Sequence, residues 1–270
     1  MDLDLTNKDN LTVICGRKIY LAAQPDPPDP ELKVVWKASN KNVSVNDKGE
    51  VTGRSAGEVT VTAEGSNGAS AERDILVMYK DVTDPGDFWF TPVYWGRSSG
   101  IVNGYEDTAG DYVTFRPENI CTAAQMVTFL WRMSGSPEPE ETEAVYTDAV
   151  EKNYFYKPVL WGAENGIMEP RRNEDGTFTA DVKENCTRGM VMRALWILAG
   201  KPEPEAEGIP FSDVPERLED GSENPFYKAV LWAAENQITE GYKDGTFHPE
   251  KECVRRIIVT FLYRYNKQIL

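Results

Sequence analysis

The chain has 270 residues, 40% hydrophobic and 27% charged, with a formal net charge of −15. That length allows two or more folded units, and that apolar content excludes global disorder. The acidic balance excludes a nucleic-acid footprint and non-specific adhesion to anionic membranes, because both need a basic face.

No apolar run is long enough to insert in a membrane, and "MDLDLTNKDN" at the start lacks the basic and apolar regions of a signal peptide. Sequence alone leaves open a cytosolic chain or a fragment of a longer exported precursor.

Residues 1–78 come first. "LKVVWKAS", "VSVNDKGEVTG" and "GEVTVTAEGSNGASAERDILVMY" alternate apolar and polar residues between Gly, Asn and Asp turns. A strand shows side chains to opposite faces in turn, so this pattern predicts short strands in an all-β sandwich. "NDKGEVTG" followed by "AGEVTVTA" resembles the bacterial immunoglobulin-like group 2 domain over most of residues 10–78. The resemblance implies a spacer or adhesion module on a bacterial surface protein, and it leaves a protein partner at this domain open.

Residues 79–270 repeat themselves. Cys121, Cys186 and Cys253 recur at intervals of 65 and 67 residues. Each is followed by Leu and an aromatic: Leu130 and Trp131, Leu195 and Trp196, Leu262 and Tyr263. Upstream stand "FTPVYWGRSSGIVNGY", "YKPVLWGAENGIMEP" and "YKAVLWAAENQITEGY", and before those "KDV", "YTDA" and "FSDV". Three units of helix, loop, helix are predicted, at 79–140, 141–206 and 207–270, with Trp95, Trp161 and Trp232 in equivalent places. "DGTF" at 175–178 and 244–247 reads as one turn written twice. Helices this short bury little alone, so the three should pack together.

Each second helix opens just after its Cys. Thr122 and Thr187 suit the N-cap, and Thr122 with Gln125 forms a capping-box pattern. Arg188 and Arg255 come next, wrong-signed for the helix dipole. Two explanations stay open on physics alone. One is a surface Arg pairing with acids such as Glu184 or Glu252. The other is an anion site made of free helix N–H groups and a guanidinium. In either case such an Arg stabilises its own helix poorly, so its loss should spare the fold.

"FSDV" followed by "YKAVLWAAENQITEGYKDGTFHPEKECVRR" resembles the S-layer homology repeat, and the three units match in order over about 190 residues. The resemblance implies a mainly α pseudo-trimer that holds a bacterial surface protein to cell-wall polysaccharide, anionic and often pyruvylated. It also implies an extracellular place on the cell envelope. Carried over residue by residue, it assigns ligand contacts to Arg188, Thr187, Arg255, Arg256, Thr122, Gln125, Tyr105 and Tyr242. The departures are specific. Ala123 replaces the Arg of the first unit, Gly189 and Met190 alter the second, and Val254 replaces Thr in the third.

The leading expectation is therefore a noncatalytic wall anchor behind a β spacer. The alternative is a recognition protein whose grooves are reshaped for another glycan or a protein. Catalysis is not expected: His248 is the one histidine, in a loop, and no Cys/His or Ser/His arrangement forms without it. "DTAGD" and "NEDGT" lack full calcium-loop spacing and read as turns, so no metal or cofactor is expected. No Cys-x-x-Cys occurs; the four cysteines are expected to be buried free thiols.

Overall fold

The computed structural model describes residues 2–5, 11–140, 146–206, 208 and 210–270. Residue 1 and the expected boundary positions 141 and 207 lie outside the described residues. The chain divides into two compact units, Met1–Pro117 and Glu118–Leu270.

The first unit opens with strands β1 (Asp2–Leu5), β2 (Leu11–Ile14), β3 (Lys18–Tyr20), β4 (Ala23–Asp26), β5 (Val34–Ala38), β6 (Val43–Val45), β7 (Glu50–Gly53), β8 (Gly57–Gly65) and β9 (Ser70–Met78). One sheet has the order β2-β9-β8-β5, a second the order β3-β7-β6, and β1 pairs with β4. The β2–β9 pairing is parallel; the others are antiparallel. β8 shows the cause. Val59, Val61 and Ala63 are buried on one face, while Glu58, Thr60 and Thr62 alternate with them on the other. Thr60 Oγ1 there donates to Asp74 Oδ1 of β9 at 2.7 Å. Val51, Val61 and Val77 bring core from both sheets of this sandwich.

The compact unit runs on past residue 78, through α1 (Phe90–Ser98) and a hairpin of β10 (Tyr105–Glu106) and β11 (Tyr112–Thr114). Backbone pairing causes this. Ala56 N–H donates to the Tyr112 carbonyl, and Tyr112 N–H donates to Ser55 Oγ, both at 2.9 Å. From α1, Arg97 Nε donates to the Ala56 carbonyl at 2.8 Å. The buried Tyr94 hydroxyl accepts from Tyr79 N–H and donates to the Val82 carbonyl. The sequence changes character near residue 78, but its hydrogen bonds do not stop there.

The second unit holds α2 (Ala123–Met133), α3 (Tyr156–Glu164), the short pair β12 (Arg171–Arg172) and β13 (Phe178–Thr179), α4 (Arg188–Leu198), α5 (Tyr227–Glu235) and α6 (Arg255–Gln268). α2 packs on α3, and α4 on α5 and α6. Met126 and Leu130, Met192 and Leu195, Ile258 and Leu262 form its buried stripe at helical spacing. Trp161 and Trp232 are buried in α3 and α5, whereas Trp95 in α1 is only partly covered. No helix among the described residues is long and apolar enough to cross a membrane.

Three cysteines tie the helix starts together. Cys121 N–H donates to the Cys253 carbonyl at 3.1 Å, Cys186 N–H to the Cys121 carbonyl at 2.9 Å, and Cys253 N–H to the Cys186 carbonyl at 2.9 Å. The bonds close a ring of three backbone segments. Flanking bridges join Ile120 to Val254, Thr122 to Asn185 and Thr187 to Glu252. All four cysteines are buried and free. Burial pushes the Cys15 and Cys121 thiols up to about 11 and Cys253 to about 12, and raises Cys186 further.

This arrangement has two measurable outcomes. In the native protein at pH 8, thiol reagents should label the cysteines only at the rate of unfolding. A native cysteine that reacts like a free thiol would contradict the burial. A thiol whose folded value is raised contributes stability that is full below about 9. That stability is lost as pH rises through about 11 to 12, so the melting temperature should fall across that window. Second, Val254 offers no side-chain cap to α6, whereas Thr122 and Thr187 cap α2 and α4. Val254→Thr should stabilise by about 1 kcal/mol, read as a rise of about 2–4 °C in melting temperature.

Candidate functional site

The starts of α2 and α4 are docked on turns elsewhere in the second unit, and an aspartate shapes each of those turns. Asp213 accepts the N–H groups of Phe247 (2.8 Å) and His248 (2.7 Å). Asp81 does the same for Phe115 and Arg116, and Asp148 for Ala180 and Val182. The turns need this, because Arg116, Asp181 and His248 all hold left-handed φ angles of 59°, 52° and 55°. Such a conformation costs a non-glycine residue on the order of 1 kcal/mol. The aspartates of "KDV", "YTDA" and "FSDV" are therefore turn clamps.

The free N–H groups expected at the helix starts are already used. Arg188 N–H donates to the Lys251 carbonyl and Gly189 N–H to that of Pro249, at 3.0 and 2.7 Å. Ala123 and Ala124 do likewise to Glu184 and Val182, and Arg255 to Asn119. The anion-site idea loses its amides and keeps only its guanidinium. The departures at 189 and 190 also acquire reasons. A Cβ on Gly189 would lie within 2.9 Å of the Phe226 ring. Met190 completes the cap of α4: its N–H donates to Thr187 Oγ1 at 3.3 Å, and its Sδ accepts from Thr187 N–H at 3.5 Å.

Arg188 is not the surface Arg of the first explanation, for it is only 5% exposed. Its guanidinium carbon lies 4.6 Å from the Phe247 ring centre, 4.9 Å from Tyr242 and 5.2 Å from Phe261. Nε donates to the Phe247 carbonyl at 2.9 Å. The terminal Nη groups make no hydrogen bond among the described residues, and no acid pairs with the guanidinium there. Ring faces carry negative charge density, so three of them hold a buried cation. Burial pulls its ordinary value down, but guanidinium starts so high that it stays charged. Lys251 Nζ lies 5.0 Å from the centre of the same Tyr242 ring, and the His248 ring meets Tyr242 edge-on at 5.0 Å. Beside them a depression of about 470 Å³ is lined by Asp213, His248, Pro249, Glu250 and Lys251.

Of the residues singled out in the sequence, Arg188 and Tyr242 come together here, while Thr187 Oγ1 is taken by the cap of α4. Thr122 and Gln125 are occupied with each other in the capping box of α2. Arg256 forms a forked ion pair with Glu118, at 2.7 and 3.2 Å. Arg255 is buried with its guanidinium 5.0 Å from Phe129 and close to Cys121. Tyr105 belongs to the first unit, where Arg116 lies 4.1 Å over its ring. Phe247, Phe261, Lys251 and His248 were not picked out. "DGTFHPEK" carries three of them, but nothing in its pattern says that a distant Arg enters it.

The middle turn differs. Thr147 N–H donates to the Phe178 carbonyl where Ser212 N–H donates to that of Gly245. Counted so, Ala180 holds the backbone place of Phe247, and Phe178 does not. The two copies of "DGTF" make the same turn, each Asp accepting from the Thr two residues on, but two added residues before Cys186 change which residue follows it into the docking place. Arg171 and Asp181 form an ion pair at 3.1 Å where Tyr242 meets His248. Ala123 faces this turn in place of an Arg. A cavity of about 340 Å³ results, lined by Ala123, Ala180, Met126, Met168, Met190 and Phe226 among others.

Comparison with known proteins places one segment of this site. The solved structures similar to the chain include an EHEC intimin mutant, at 10% identity and TM-score 0.25, covering 68% of this chain and 93% of that one. They also include a polysaccharide lyase, at 12% identity and TM-score 0.20, covering 74% and 30%. No curated protein gives a match. Residues 217–254, which carry Tyr242, Phe247, His248 and Lys251, match the model of the S-layer homology domain, generally a cell-wall anchoring module.

Proposed function

We propose that the chain is a noncatalytic bacterial cell-surface module that binds anionic cell-wall polysaccharide. In this reading residues 79–270 are three tandem S-layer homology repeats forming a pseudo-trimer, and residues 1–78 are an immunoglobulin-like spacer of group 2 type. The cation of Arg188 carries the reading. It is buried without an acid partner among the described residues, inside the segment whose partner turn matches the domain model. The ring of cysteine bonds and the three aspartate clamps support the repeat count. In this reading a carboxylate sugar, pyruvylated or not, pairs with the Arg188 guanidinium, and Lys251 and His248, which line the neighbouring depression with Asp213, Pro249 and Glu250, flank it. Arg255 serves a second groove. An extracellular place on the envelope follows from the ligand.

One observation favours the alternative, a recognition protein with altered grooves. At the cavity of Ala123 and Ala180 no counterpart of Arg188 or Phe247 stands in the corresponding place; three methionines, Ile167 and Phe226 line it, with Glu169, Asp181 and Glu184 outnumbering Arg193. Such a groove suits an apolar group better than an anion.

The test is binding to purified cell walls, with and without their accessory polysaccharide. Arg188→Ala alone is ambiguous. Contrary to the sequence expectation it should also lower the melting temperature, since up to about 2 kcal/mol of cation–π contact goes with the side chain. Arg188→Met retains much of the packing and removes the charge. It should bind walls about tenfold to a hundredfold more weakly, the worth of a charge-assisted contact of about 1.5–3 kcal/mol. Wall binding by Arg188→Met equal to the parent's would remove the cluster from the site and put the altered-groove reading ahead.

A further inference from the structure

A second cavity lies away from the arginine cluster. It measures about 510 Å³ and opens between the end of α2, the Pro-rich segment after it, and the start of α3. Trp131, Tyr154 and Tyr156 give it aromatic walls, with Asn153 and Glu151 beside them. Trp131 is fixed, because its indole N–H donates to the Pro137 carbonyl at 2.7 Å. Its ring faces are what it has left to offer. Tyr154 is 62% exposed, a large area of aromatic surface for solvent to cover.

The chain contains a matched control. After α4, Trp196 donates to the Pro202 carbonyl at 2.8 Å, as Trp131 does to Pro137. Lys228 pairs with Glu203 and Lys157 with Glu138, each at 2.7 Å. Tyr227 N–H donates to Asn224 as Tyr156 N–H does to Asn153, each at 3.1 Å. The frames agree; the contents do not. At the second joint Pro225 stands where Tyr154 stands at the first. There the Asn224 amide donates to the Pro215 carbonyl at 2.9 Å. At the first joint Asn153 Oδ1 accepts from Val150 N–H at 2.8 Å, and its amide N–H groups make no hydrogen bond among the described residues. The Tyr156 hydroxyl and the Glu151 carboxylate make none there either. Among the described residues, the first joint and not the second combines an exposed aromatic, Tyr154, with side-chain donors and acceptors that make no other hydrogen bond.

We propose that this cavity is a subsite for an uncharged pyranose ring. The apolar C–H face of the sugar lies on Trp131 and Tyr154, whose ring faces attract its partly positive hydrogens. The ring hydroxyls meet the Asn153 amide, the Glu151 carboxylate and the Tyr156 hydroxyl. Charge separates this site from the arginine cluster. Glu138 and Glu151 outnumber Lys157 at the rim, so an acidic sugar is disfavoured here. For the source of its sugar, though not for its chemistry, the assignment rests on the wall-polysaccharide reading.

The experiment titrates the protein with two neutral probes, cellotetraose and the N-acetylglucosamine tetramer, by calorimetry and Trp fluorescence. Tyr154→Ala and Tyr154→Trp are the variants; the position is exposed, so both should fold. Binding of either probe is expected, weakened about fivefold or more by Tyr154→Ala and retained by Tyr154→Trp. Arg188→Met should leave it unchanged. If neither probe binds, or if Tyr154→Ala binds as the parent does, the subsite is wrong whatever the walls do. If a probe binds in this Tyr154-dependent way while the parent ignores cell walls, the subsite stands and the anchor reading falls.

Discussion

The second unit depends on three backbone hydrogen bonds that run in a circle, from Cys121 to Cys253 to Cys186 and back to Cys121. Each segment spends one donor and one acceptor on its two partners. The side chain at the crossing has little room, which suits a small, weakly polar thiol and explains why burial there is nearly total. The circle also sets the helix starts. Two residues on, the first position of each helix is pressed against a turn from another segment. Whatever side chain stands there, Ala123, Arg188 or Arg255, is buried by the ring and not by its own helix.

This accounts for a buried cation with no ion-paired acid among the described residues, in a chain of net charge −15. A second carboxylate inside the turn would compete with the clamp aspartate for the backbone N–H groups it holds. Aromatic faces attract a guanidinium without taking any hydrogen bond from it, so the Nη groups keep their donors. The same ring position becomes a methionine-lined hollow with acids at its walls where Ala123 and Ala180 stand. One backbone plan thus presents cationic or apolar chemistry according to two side chains that lie far apart in sequence.

Much of this could be read from the residues. Alternation in "GEVTVTA" gave the β8 face, the Thr caps marked α2 and α4, and the recurrence of Cys marked the three docking segments. What could not be read were contacts set by long-range register. The extent of the first unit to Pro117 depends on Tyr112 pairing with Ala56, which no local pattern announces. "DGTF" marked the same turn in both copies, but its four identical letters carry no sign of the two-residue shift in the chain after them. Arg188 invited two explanations, and the aromatic cluster that receives it belonged to neither. Gly189 departs from the motif where the Phe226 ring leaves no space for a Cβ.

The circle of cysteines has a temporal side. None of its bonds joins near neighbours, and the bond from Cys121 spans to Cys253. Loops of that length close slowly, and helices as short as these hold little structure before they dock. On a ribosome the segment carrying Cys121 and that carrying Cys186 emerge first, and they can make one of the three bonds. The other two wait for the last segment to appear. Until then the aromatic turn at Tyr242 and Phe247 does not exist for Arg188 to enter. Closure of the ring in this unit therefore waits for the segment that carries Cys253, however early its helices form.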